Sequence, residues 1–197
     1  MSNNAEERQA IREIIENWAI WRDSGEWVRF RSLWHDDGVM VATTFQGSVD
    51  EFIDRARQSH ERGVTAHHIL GGISIDIAGD RAVAQTRATI GQRAPVHDVV
   101  CDVVCTIRFY DLFEKRDGRW GLVRRQGIYE KDRLDPVDTS QTVSLDPEVL
   151  AQFPSGYRHL AYLQTNAGFT VKTDMPGLTG PAVDALYATG AAWLAGE

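Results

Sequence analysis

Residues 99–131 read VVCDVVCTIRFYDLFEKRDGRWGLVRRQGIYEK. Val99 to Glu114 is a long strand-like run, and Trp120 to Lys131 is a second. Between them Asp117-Gly118 is a hairpin turn signal, because both residues tolerate the positive φ that a tight two-residue turn needs. By the period of two, Val123, Arg125, Gly127 and Tyr129 share one face of the second strand. Leu122, Arg124 and Ile128 take the other.

Working back from this hairpin, Ala82 to Gly91 is a preceding strand, followed by a loop through Pro95 and His97. His67 to Ile77 is another, with alternating Ile73, Ile75 and Ile77, and Ala78-Gly79-Asp80 turns the chain. Ser48-Val49-Asp50-Glu51 has the capping-box form, which opens a helix from Val49 to about Arg62. Asp36-Asp37-Gly38 is a turn signal ahead of a first strand, Val39 to Phe45. Residues from about Ala5 to Arg22 form an amphipathic helix on Ile11, Ile14, Ile15, Trp18 and Ala19. A short second helix spans Glu26 to Trp34. Three helices followed by hairpin-linked strands predict an α+β domain with a segregated antiparallel sheet. Four such strands can curl around a helix and leave a cavity.

Past Asp132 the composition shifts. Five of the six prolines (Pro136, Pro147, Pro154, Pro176 and Pro181) lie there, among glycines and short helical pieces. Asp146-Pro147 reads as an N-cap with a first-turn proline, and Pro181 to Leu194 as a terminal helix. The expected organisation is a domain over residues 1–131 and an extension over 132–197, covering the pocket mouth or a neighbouring subunit.

The 197-residue chain is 43% hydrophobic and 25% charged, enough for one sizeable core. Its net charge of −7 argues against nucleic acid and against anionic membrane surfaces. No apolar run approaches the ~20 residues of a bilayer crossing, and the first residues carry no secretory pattern. Cys101 and Cys105 lie on one strand, roughly 13 Å apart, too far for a disulfide. Reduced thiols packed as small hydrophobes fit a cytoplasmic protein. No third ligand accompanies them, so no metal site is expected.

Ile15, Ala19 and Asp23 step by four, so Asp23 continues the apolar stripe of the first helix and points inward. At the start of the strand after the third helix, strict alternation gives His67 the parity of Ile69, Ile73, Ile75 and Ile77. A β-bulge at Gly71-Gly72 would shift the register and turn His68 inward instead. Trp18 and Trp21 sit near enough to Asp23 to line an aromatic-binding pocket. His97, beside Asp98, is a rim candidate. With His67, Ala88, Ile90, Cys105 and Tyr129 these complete the expected pocket lining.

An inward Asp after the first helix, the Leu33-Trp34-His35-Asp36-Asp37 segment, a His opening a strand and an Arg-Asp-Gly-x-Trp hairpin occur in that order. This resembles the SnoaL-like branch of the nuclear-transport-factor-2-like cone fold, in particular its dehydrochlorinase and scytalone dehydratase lyases. The resemblance covers roughly the first two thirds of the chain and implies a cone-shaped curved sheet. In those lyases an Asp and a His form the catalytic pair. Asp23 has the family spacing from Asp36, and His68 aligns better than His67. The resemblance also gives Arg125 as a site residue by its spacing from Trp120, and Tyr129 as pocket lining. It implies a homo-oligomer, a trimer. The chain departs from the family at Trp18, where the dehydrochlorinase has a Lys, and at Arg22, where scytalone dehydratase has a Tyr.

An Asp–His pair suits β-elimination, since imidazole takes a proton near neutrality and the carboxylate fixes its tautomer. Arg125 would stabilise the developing negative charge. No GxGxxG follows a strand and no P-loop is present, so no cofactor is signalled. The expectation is a cofactor-independent lyase acting on a small aromatic or polycyclic molecule, by loss of water or of formaldehyde. Two alternatives remain open. One is a non-catalytic subunit of the kind found in ring-hydroxylating dioxygenases, and the other a ketosteroid-type isomerase with a carboxylate base.

Overall fold

The computed structural model describes residues 2–197, with side chains from residue 4 onward. α1 (Ser2–Asp23) buries Ile11, Ile15, Trp18 and Ala19, one stripe at helical spacing. A short α2 (Trp27–Arg31) follows, then β1 (Trp34–Ala42), β2 (Phe45–Ser48) and α3 (Val49–Glu61). The capping box at α3 is complete. Ser48 Oγ accepts from the Glu51 amide at 3.3 Å, and the Ser48 amide donates to Glu51 Oε2 at 3.3 Å.

The remaining strands are β3 (Ala66–Ala78), β4 (Arg81–Val96), β5 (Val99–Arg116) and β6 (Arg119–Pro136). They order as β2-β1-β6-β5-β4-β3. The sheet is mixed and not wholly antiparallel, because β1 lies parallel to β6, Met40 facing Arg125. The expected Val39–Phe45 strand is split by Thr43-Thr44 into a β1–β2 hairpin. Asp36-Asp37-Gly38 lies inside β1, where the pairing with β6 shifts register. The turn at Asp117-Gly118 has φ of 50° and 78°, as its sequence demands. β4 runs through Pro95, where the sequence predicts a loop. Its partner β3 reaches only as far as Gln92, so a proline leaves no ladder bond unmade there.

On β5 the alternation is unbroken. Cys101, Val103, Cys105, Ile107, Phe109 and Phe113 join the main core with α1, while Tyr110 and Leu112 face the other way. β6 is bulged opposite this straight strand, at the Thr106/Ile107 and Leu112/Phe113 steps. The second bulge takes up Val123. Leu122 thereby turns into the core beside Arg125, whereas uninterrupted alternation set it on the opposite face.

β6 continues to Pro136, past the 131/132 boundary that composition suggested. Beyond it come α4 (Pro147–Ala151), α5 (Arg158–Asn166) and α6 (Pro181–Ala195). The chain reaches α5 at Gly156, where no Cβ would fit against the Tyr129 carbonyl. Asp132 then anchors α5, accepting from the Leu160 amide at 2.7 Å and pairing with His159 Nδ1 at 2.8 Å. Leu160 and Leu163 pack into the main core. α6 sets Val183 and Leu186 against Val83, Tyr110, Leu112 and Ile128 on the other face of the sheet. Burying side chains of this size contributes about 1.5–3 kcal/mol each. Among the described residues, no helix is long and apolar enough to cross a membrane.

Candidate functional site

Asp23 ends α1 and His68 lies three residues into β3. His68 Nδ1 meets Asp23 Oδ1 at 2.8 Å, and the His68 amide donates to Asp23 Oδ2 at 2.6 Å. Both carboxylate oxygens are therefore held by one residue, which fixes the ring's orientation as well as its position. The bulge that makes this possible is at Gly71-Gly72, where Leu70 pairs with Ala88 but Ile73 pairs with Thr86. Two residues oppose Arg87, so the parity changes. His68 and the Ile73, Ile75, Ile77 series then face the same side, and His67 and Ile69 face out.

The His68 side chain is 6% exposed. Burial, reinforced by the Arg22 and Arg125 charges, pulls its pKa below the ordinary imidazole value, against the raising effect of Asp23. For Asp23, burial acts to raise the pKa. The hydrogen bond and charge of His68, the Arg22 charge and the His68 amide outweigh it and leave the carboxyl lowered. The pair thus rests as neutral imidazole beside carboxylate. A carboxylate only accepts, so the proton sits on Nδ1 and Nε2 is the basic nitrogen left for a ligand.

His68 lines a cavity of about 100 Å³. Trp18, Phe52, Ile90, Phe109, Tyr129 and Leu160 supply apolar walls, and Arg22, Thr43, Gln92 and Gln164 supply polar ones. An adjoining chamber of about 100 Å³ shares Arg22, Thr44, Phe52, Ala66, Gln92 and Gln164 with it and is flanked by Arg55 and Phe169. Trp18 stands edge-on to His68, centroids 5.2 Å apart at 87°. Tyr129 is buried against Tyr157, and burial raises its phenol pKa. The space beside Gly127 is taken by the Tyr129 ring.

Arg125 is fully buried but does not line the cavity. Its guanidinium lies 4.3 Å from the ring centroids of both Trp18 and Phe109. It forms a two-pronged pair with Asp111, at 2.8 and 2.7 Å, both side chains wholly shielded from solvent. Its resting partner is Asp111. Burial pushes the Asp111 carboxyl up, and the Arg125 charge opposes it. Strand alternation alone does not bring Asp111 to Arg125. Counting back from the Arg116–Arg119 pair sets Asp111 opposite Arg124, and the Val123 bulge moves it to Arg125.

Other expected lining residues fall elsewhere. His67 is exposed on the far face of β3. Trp21 lies under the Arg29 guanidinium, 4.6 Å from its centroid, and not on the cavity. His97 occupies the β4–β5 turn and bonds Tyr162 Oη at 2.7 Å. Ala88 and Cys105 are core residues beside the cavity, and burial raises the Cys105 thiol pKa as its Sγ donates to the Gly156 carbonyl. Phe52, Thr43, Gln92 and Gln164 were not expected. Gln164 comes from the extension, whose placement over the sheet no local pattern encodes.

Residues 3–126 match the profile of the SnoaL-like domain. The chain belongs to the SnoaL-like family. Among relatives, "Pea pathogenicity protein 2" of Fusarium vanettenii is 38% identical over 203 residues, covering 97% of this chain and 87% of that protein. An uncharacterized protein of Emericella nidulans is 36% identical with the same coverage. A scytalone dehydratase-like protein of Novosphingobium aromaticivorans superposes with a TM-score of 0.56 at 16% identity, over 75% of this chain and 97% of that one. A type 3 hexachlorocyclohexane dehydrochlorinase of Novosphingobium barchaimii gives 0.59 at 16% identity, over 72% and 97%. At such identities these structures establish the shared SnoaL-like cone architecture.

Proposed function

We propose that this SnoaL-like protein is a cofactor-independent lyase for a small aromatic or polycyclic molecule, acting in the cytoplasm as a homo-oligomer, a trimer. The observation that carries this reading is the Asp23–His68 pair, whose imidazole lines a cavity. His68 Nε2 removes a proton from carbon while Asp23 stabilises the imidazolium that forms, and a group such as hydroxide departs from the adjacent carbon. A positioned base of this kind contributes typically ~10²–10⁴ in rate. Arg125 does not reach the cavity and serves as a positioning residue. It holds Trp18 and Phe109 in place and supplies a positive field beneath them. Loss of water is the preferred reaction, and loss of formaldehyde from an aryl-propanediol is a close variant. An isomerase with Asp23 as the base is disfavoured because both of its oxygens are already engaged.

The test is to present hydroxylated dihydroaromatic ketones and aryl-propanediols and to follow release of water-eliminated product or formaldehyde. Turnover that disappears in both His68→Ala and Asp23→Asn, with folding preserved, supports the reading. The double variant should be little worse than either single. Turnover surviving in His68→Ala would refute the assignment of the base.

A further inference from the structure

Within the cavity three polar side chains form a chain of hydrogen bonds that the dyad does not use. Thr43 Oγ donates to Gln164 Oε1 at 2.8 Å, and Gln164 Nε2 donates to Gln92 Oε1 at 3.3 Å. All three line the cavity, and Gln92 and Gln164 also line the adjoining chamber. Thr43 is 3% and Gln164 7% exposed. The direction of this chain has a consequence. Thr43 engages the Gln164 carbonyl oxygen, and Gln164 engages that of Gln92. Each amide thus spends its acceptor oxygen on a neighbour, and of the amide donors Gln164 keeps one N–H and Gln92 both for a ligand. Arg22 stands on the same wall, with Nη1 engaged by Asp23 and the Ala66 carbonyl, and the rest of the guanidinium adds only donors. This wall offers donors to a ligand, His68 Nε2 faces the same cavity as an acceptor, and Trp18, Phe52, Ile90, Phe109 and Leu160 give its apolar sides.

We propose that the Gln92–Gln164 amides form a subsite for a hydrogen-bond-accepting oxygen, a carbonyl in the first instance, on a compact and otherwise apolar ring. Thr43 is the positioning residue that sets the orientation of the Gln164 amide. This deepens the lyase reading and rests on it for the claim that the bound molecule reacts at His68. The subsite itself is a statement about binding. It assigns a ligand-reading role to the C-terminal extension, since α5 brings Gln164 to the cavity. A buried amide left without an acceptor loses more than a hydrogen bond contributes, so such a wall discriminates against ligands lacking the oxygen.

The probes are cyclohexanone and methylenecyclohexane, which have the same shape and differ in whether an oxygen is present. Dissociation constants for both are measured by ligand-observed NMR on the full chain, and the alkene-to-ketone ratio is the readout. Gln164→Leu and Gln92→Leu should each lower that ratio about tenfold, the effect of one hydrogen bond to a desolvated partner. Thr43→Val should lower it less, because the amide then flips freely. Gln92 is half-buried, and its replacement keeps the test valid if Gln164→Leu fails to fold. A ratio unchanged within twofold in the folded variants, or no binding of the ketone by the wild type at millimolar concentration, overturns the subsite. His68→Ala should leave the ratio intact. Loss of turnover there with Gln variants of unchanged ratio would sink the subsite alone. A ratio that shifts as stated in a protein showing no turnover would sink the lyase reading alone.

Discussion

At His68 the imidazole is surrounded by groups that disfavour its charged form, with Asp23 alone opposing them. Its folded pKa lies below the unperturbed value near 6.5. A base of this kind is active when neutral, so kcat/KM should hold level through neutrality and fall only as pH drops through the lowered pKa, with a midpoint below about 6.5. A pH–rate profile measures this. A midpoint above that value would show that Asp23 dominates. The Arg125–Asp111 pair makes a second prediction. Asp111→Asn leaves a guanidinium buried with no anion, and removing one partner of such a pair costs about 3–5 kcal/mol, readable in urea denaturation. Arg125→Lys loses the planar fork that Asp111 grips and should lower stability as well as activity. Asp23 was legible because a four-residue step carries it along the apolar stripe of α1. Asp111 was not, because one bulged residue on β6 decides which arginine it meets.

Among the elements, β3 shows how one local irregularity decides the chemistry. Without a bulge, alternation sends His67 inward with the isoleucines. With Gly71 and Gly72 both opposite Arg87, His68 takes that place. The two glycines announced the possibility, and the helix–strand order and the Asp117-Gly118 turn were plain for the same kind of reason: local backbone chemistry writes them. The parallel pairing of β1 with β6 was not legible, since it joins residues far apart in the chain. Deleting Gly72 should abolish the bulge and force either His68 or the isoleucine series to the wrong face. We expect loss of turnover together with a lowered urea midpoint. Retention of both would mean that the register is held elsewhere.

Across the whole molecule the extension is part of the fold. α5 closes the cavity with Leu160 and Gln164, and α6 covers Val83, Tyr110, Leu112 and Ile128. Composition marked where the chain changes character but not that α5 and α6 would take opposite faces of one sheet. A chain ending at Pro136 should therefore expose both faces, bind a hydrophobic dye such as ANS and lose cooperative unfolding. A soluble, cooperatively folding truncation would show the extension to be an accessory. For assembly, light scattering at micromolar concentration should report a trimer, and a monomer would contradict it. The claim on which the rest depends is that Asp23 holds His68 with its proton on Nδ1 and a free basic Nε2. A 15N NMR titration of the His68 ring in the wild type and in Asp23→Asn tests it directly. The prediction is the Nδ1–H tautomer at neutral pH with a pKa below about 6.5, and loss of that tautomer preference in Asp23→Asn. An Nε2–H tautomer in the wild type, or a ring already protonated at pH 7, would contradict the account.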